Sequence, residues 1–161
     1  MTQPPAPDAA ARPSINTVLS GLPNPTPTEL AAALNGPGMR GALPEAMGIE
    51  LIEAHPDKVV GRMPIAGNTQ PYGILHGGAT VVLAESLGSL AAALHGGVDN
   101  IAMGIDVSCT HHRSPRGDFV IGTATPLHRG RTVASYLIDV VDESGARIAT
   151  ARLTCVLRPV G

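Results

Sequence analysis

The run Gly77-Gly78-Ala79-Thr80-Val81-Val82-Leu83-Ala84-Glu85-Ser86-Leu87-Gly88-Ser89-Leu90-Ala91-Ala92-Ala93-Leu94 is apolar nearly all round. Its length fits a helix, and a helix without a polar face must be buried on most sides. Gly96-Gly97 predicts its end. One carboxylate, Glu85, and three hydroxyls, Thr80, Ser86 and Ser89, interrupt it, which a membrane span seldom tolerates.

Outward from this run, four β-rich segments follow at residues 101–112, 118–127, 132–142 and 146–157. Ser114-Pro115-Arg116-Gly117 and Glu143-Ser144-Gly145 read as hairpin turns, and His128-Arg129-Gly130-Arg131 as a third link. Consecutive strands with short links predict an antiparallel sheet. Ala134, Tyr136, Ile138 and Val140 share one face, with Ser135 and Asp139 on the other. Upstream, residues 48–54 and 58–65 read as two short strands about His55-Pro56-Asp57, and 66–75 as a loop. One long helix covered by one curved sheet is an α+β layout.

Residues 1–40 form a Pro/Ala-rich extension, and 41–161 the folded domain. Residues 1–27 offer little to bury and are expected to be disordered or loosely packed. A short helix is expected from Thr28, with Leu30 and Leu34 on one face, stopped by Asn35-Gly36-Pro37-Gly38.

Composition narrows the function. The chain has 161 residues, 43% apolar and 15% charged, with a formal net charge of −2. Ten Arg and one Lys form no run, which argues against a nucleic-acid partner. Cys109 and Cys155 lack the spacing of a disulfide framework or a zinc site, and no HxxxH or HxH occurs. No charged stretch followed by an apolar run opens the chain, so a cytoplasmic protein without a membrane partner is expected.

Glu85 is the strongest chemical signal. A carboxylate in an apolar helix must find a partner or take a raised pKa, and either suits catalysis. Ser89, four residues on, shares its face. A structural Glu in a subunit interface is the competing reading. The second signal is Gln70-Pro71-Tyr72-Gly73-Ile74-Leu75-His76-Gly77-Gly78, at the mouth of the same helix. A helix N-terminus presents free N–H groups and a positive dipole end, which can hold a developing oxyanion. His76 and Gln70 add polar side chains there. His111 and His112 point to opposite faces of a strand, which disfavours one shared metal.

The pattern Gln-x5-His-Gly-Gly-x6-Glu-x3-Ser over residues 70–89 resembles the active-site helix of hotdog-fold acyl-CoA thioesterases of the phenylacetate-degradation type. It is most similar to the branch that includes hydroxybenzoyl-CoA, dihydroxynaphthoyl-CoA and enterobactin-proofreading thioesterases. The likeness covers roughly residues 43–158. It implies a sheet wrapped around the helix, protomers paired through their sheets, and two dimers forming a tetramer. It also implies hydrolysis of an acyl-CoA to free acid and CoA, with no metal and no cofactor besides the substrate's CoA. Carried over, the Gly77 N–H polarises the thioester carbonyl and Gln70 and His76 bind around it. Glu85 of the other protomer is nucleophile or general base, and Ser89 positions it or the attacking water. His111 lines the acyl pocket, and Arg113, His128, Arg129, Gly130 and Arg131 fall where CoA phosphates bind. A non-catalytic acyl-CoA-binding module and a hotdog dehydratase are the alternatives; the carboxylate and its spacing favour the hydrolase. Only Tyr72, Phe119 and Tyr136 are aromatic, so stacking surfaces for an aromatic acyl group are scarce.

Overall fold

The structure is a computed structural model that describes residues 15–160. Its elements are α1 (Ile15–Gly21), α2 (Pro27–Leu34), α3 (Ala42–Ala46), β1 (Glu50–His55), β2 (Lys58–Pro64), α4 (Gly77–Gly96), β3 (Asn100–His111), β4 (Phe119–Arg129), β5 (Val133–Asp142) and β6 (Arg147–Pro159). The strands make one antiparallel sheet in the order β1-β2-β4-β5-β6-β3. The long helix α4 lies across it and touches every strand. This is the α+β hotdog arrangement.

The expected hairpin at Ser114-Pro115-Arg116-Gly117 does not form. β3 pairs with β6 at the sheet edge, and β4 pairs with β2 and β5. The link therefore crosses three strand spacings, about 14 Å, a span that seven residues of extended chain cover with room to spare. The links β4–β5 and β5–β6 are true hairpins. Buried Asp142 holds the second one, accepting from the Ser144 hydroxyl and from the N–H groups of Ser144 and Ala146. The Ser144 hydroxyl bond leads the causes that hold its carboxyl down at about 2.

Glycines let the helix sink into the sheet. Gly61 of β2 and Gly122 of β4 are register partners. A Cβ on either would stand 2.7 Å or 2.6 Å from a methyl of the fully buried Leu87. The face Ala134, Tyr136, Ile138 and Val140 is buried beneath α4, and the Tyr136 hydroxyl donates to the Ala91 carbonyl at 3.1 Å. Burial pushes that phenol up to about 12. Overpacking a filled core costs about 1–3 kcal/mol, so Gly122→Ala should lower unfolding free energy by that amount in urea titrations. Leu87→Ala should then cost less on the Gly122→Ala background than on the wild type; strictly additive losses would contradict this contact.

The N-terminal region joins the core earlier than its composition suggests. Residues 1–14 lie outside the described residues, but α1 sets Ile15, Val18 and Leu19 against the core. Leu30, Ala31 and Leu34 of α2 are buried in it. The cap of α2 is Thr26, not Thr28: its side chain accepts from Glu29 N–H while Glu29 reaches back to Thr26, a capping box. Asn35 then pairs with the backbone of Leu51 in both directions, at 2.8 Å and 2.9 Å, fastening the segment to edge strand β1.

The opposite edge is β3. Most of its residues are exposed, including Ile101, Met103, Ile105 and Val107.

Candidate active site

The loop before α4 is tied down by its own backbone. Gln70 N–H donates to Ile74 O and Gly73 N–H to Gln70 O, both at 2.9 Å, with Gly73 at φ +75°. His76 N–H donates to the carbonyl of Asn68, whose side-chain amide holds the Met47 and Pro64 carbonyls. The loop thus delivers the chain into α4 at a set angle.

His76 is the N-cap of α4, its Nδ1 accepting from Gly78 N–H at 2.8 Å. A neutral ring with an accepting Nδ1 carries its proton on Nε2. The Ala79 and Thr80 N–H groups bond to the His76 carbonyl. The Gly77 N–H has no partner among the described residues. It stands at the positive end of a helix of 20 residues. His111, at the end of β3, donates from Nε2 to the Gly77 carbonyl at 3.1 Å. Its ring leaves no slack: a Cβ on Gly77 would lie 3.2 Å from it. Gln70, Gly77, Thr80, His111 and Arg113 line one cavity of about 270 Å³. The Gln70 side-chain amide is unengaged among the described residues.

Glu85 departs from expectation. α4 buries Leu83, Ala84, Leu87 and Gly88, but Glu85 is exposed in the single chain. Its side chain and that of Ser89 lie over Gly104 of β3, where a Cβ would stand 3.6 Å from Glu85 Oε1 and 4.0 Å from Ser89 Oγ. Burial pushes the thiol of buried Cys155 up, with Ser89 acting against the shift and the Glu85 charge adding to it. Glu85 follows Gly77 by eight residues, about 12 Å along the helix axis at 1.5 Å each. One chain therefore does not bring carboxylate and free N–H together.

The segment at 128–131 is likewise far from Gly77 in the same chain, beside the C-terminal end of α4, where His95 Nε2 donates to Gly130 O at 3.1 Å. His128 and Arg131 are exposed, and Arg129 is paired with Asp57 at 2.7 Å. Two site features escaped the sequence reading. Gly104 carried a signal, since an isolated glycine within a strand marks a close approach. Thr80, buried beside Gly77, looked like any other helix hydroxyl.

Residues 72–149 match the thioesterase superfamily. The proofreading thioesterase EntH of Cronobacter turicensis is 40% identical over 123 residues, 76% of this chain and 89% of that one. The structure superposes on thioesterase HI1161 of Haemophilus influenzae with a TM-score of 0.74 at 30% identity, over 85% of this chain and 93% of that one. A mutant of thioesterase PA1618 from Pseudomonas aeruginosa gives 0.73 at 31% identity, over 86% and 97%. With the buried helix, the wrapped sheet and the open N–H at the His-Gly-Gly turn, this places the chain in the thioesterase superfamily, among the hotdog-fold enzymes that hydrolyse thioesters and include the enterobactin-proofreading branch.

Proposed function

We propose that the chain hydrolyses acyl-CoA thioesters at a site completed by a second copy of itself. The observation that carries this reading is the unpartnered Gly77 N–H at the head of α4, in a cavity with Gln70 and His111. In this mechanism the thioester carbonyl oxygen accepts from Gly77 N–H, and the helix dipole stabilises the charge it gains. Gln70 and the His76 Nε2–H orient the thioester. Glu85 of the partner subunit attacks the carbonyl carbon, expelling CoA thiolate and leaving an anhydride that water cleaves, or it takes the proton of an attacking water. Ser89 holds that carboxylate or water. No cofactor is called for.

The edge strand supports the pairing. A long, exposed, apolar edge is a template for another strand. Antiparallel pairing of β3 with its copy, about a twofold axis near Val107 and Ser108, sets Gly104 of one chain opposite His111 of the partner subunit. Glu85 lies over Gly104 and Gly77 beside His111, so that register brings each carboxylate toward the other chain's free N–H. Two such dimers form the tetramer. The CoA phosphates then meet Arg113 on one chain and the basic segment His128, Arg129, Gly130 and Arg131 on the other. Free thiols at Cys109 and Cys155 fit a reducing cytoplasm.

A thiol-release assay over benzoyl-, phenylacetyl-, short-chain and long-chain acyl-CoAs tests the substrate class, with light scattering on the same sample. Turnover of at least one series by an oligomer is expected. A monomer at micromolar concentration, or no thiol release from any of them, would remove this reading.

A further inference from the structure

A second cavity, of about 280 Å³, lies between α4 and the elements before it, with Ala102 of β3 also in its lining. Ser86 and Ser89 line it; Ser86 adjoins Glu85 in the chain and Ser89 lies with Glu85 over Gly104, which brings the cavity to the neighbourhood of the carboxylate. Its walls are aliphatic: Leu90 from α4, Ile15 from α1, Leu34 from α2 and Ile49 ahead of β1. Ligand pockets span roughly 300–1,000 Å³, so this space suits an acyl chain and not the CoA moiety. No aromatic side chain lines it.

Arg40 also lines this cavity. It donates from Nη1 to the Ile49 carbonyl, its one hydrogen bond among the described residues. Its Nε is sealed off without a partner among the described residues, and its accessible Nη2 makes no bond among them. No carboxylate pairs with it among the described residues. Arg40 is half-buried, and an anion seated against its guanidinium among these apolar walls gains a charge-assisted hydrogen bond. Arg is suited to this task because its planar guanidinium donates N–H groups to the oxygens of a carboxylate.

We infer that Arg40 is the specificity residue for a carboxylate at the far end of the acyl chain, so that the preferred substrates are ω-carboxyacyl-CoA thioesters. The inference rests on the hydrolase reading for its orientation. A thioester carbonyl held next to Glu85 sends its acyl tail past Ser89 and along the aliphatic walls to Arg40. An aliphatic tail with a charged end matches a cavity lined by aliphatic side chains and one guanidinium.

The test compares CoA thioesters matched in length: hexanoyl against adipoyl, and octanoyl against suberoyl. Wild-type kcat/KM should favour the carboxylated member of a pair by roughly ten- to a hundredfold, the range of a hydrogen bond to a charged group. Arg40→Met should abolish or invert that preference, and Arg40→Lys should keep part of it. Equal kcat/KM for both members in the wild type, or a preference that survives Arg40→Met, overturns the assignment and leaves the hydrolase reading intact. The wild-type comparison needs no variant to fold. Calorimetric titration of the Glu85→Gln protein with the same pairs reads the subsite without turnover. Tighter binding of the carboxylated member, lost when Arg40→Met is added, supports the subsite even if no thioester is hydrolysed; equal binding overturns it.

Discussion

Glu85→Gln should lower kcat by about 10²–10⁴-fold, the loss typical when a general base is removed, while KM changes far less. The amide keeps the shape of the carboxylate but can neither attack a carbonyl nor take a proton from water. Binding energy would come mainly from the CoA contacts and the acyl cavity, neither of which uses the Glu85 charge. The surroundings of Glu85 make the variant a clean one. It is exposed in the single chain and makes no hydrogen bond or ion pair among the described residues, so the substitution strands no buried partner. His76→Ala is a useful comparison. It removes the helix cap made to Gly78 N–H, costs about 1 kcal/mol of stability, and should slow turnover less than Glu85→Gln. Steady-state kinetics on the best acyl-CoA, with folding followed by circular dichroism, decide the matter. A folded Glu85→Gln protein with near wild-type kcat takes Glu85 out of the mechanism.

How far the fold could be read from the residues depended on the range of the signal. α4 was plain because apolarity over so many consecutive positions leaves no other element that buries them. The face Ala134, Tyr136, Ile138 and Val140 followed from strand periodicity and is fully buried. Strand partners were not readable in the same way. Ser114-Pro115-Arg116-Gly117 has hairpin chemistry, yet it carries the chain across the sheet, because turn residues report local bending and not which strand comes next. β3 instead finds β6, a pairing dictated by how the sheet closes over α4. The Thr26-Pro27-Thr28-Glu29 capping box is legible in the sequence and starts the helix at Pro27, ahead of the expected Thr28. In α1, Ile15, Val18 and Leu19 have helical spacing, but the surrounding Pro and Ser residues mask it.

The site divides along the same line. Gln70, His76 and Gly77 are close in sequence, and their juxtaposition needed only a helix start. His111 and Arg113 reach the same cavity from the end of β3, which pattern alone could not foretell; the family resemblance supplied them. Glu85 was readable as unusual but not as exposed. Apolar neighbours in sequence imply a buried helix, whereas burial is decided face by face, and the Glu85 face looks past Gly104 toward the bare edge of the sheet. Arg40 gave no sign. It sits in a Gly/Pro-rich link, where a charged residue is unremarkable until the cavity it lines is seen.

Mixing two inactive variants should restore activity, because each proposed site takes Gly77 from one chain and Glu85 from the other. Gly77→Val fills the space against the His111 ring, where even a Cβ lies at 3.2 Å, and should block the oxyanion position. Glu85→Gln removes the chemistry. In a mixed dimer one site carries both defects and the other carries none. If subunits re-pair at random in an equimolar mixture, half the dimers are mixed and each holds one intact site of two. Activity should then rise from the residual level of either variant to about a quarter of wild type. The measurement is thiol release after the two proteins are co-unfolded in urea and refolded together, beside each variant refolded alone. A site built within a single chain predicts the opposite, since every chain in the mixture is defective however it pairs. Mass spectrometry of differently tagged chains establishes that mixed dimers are present. Mixed dimers without recovered activity would confine Glu85 and Gly77 to separate roles and end the composite-site mechanism.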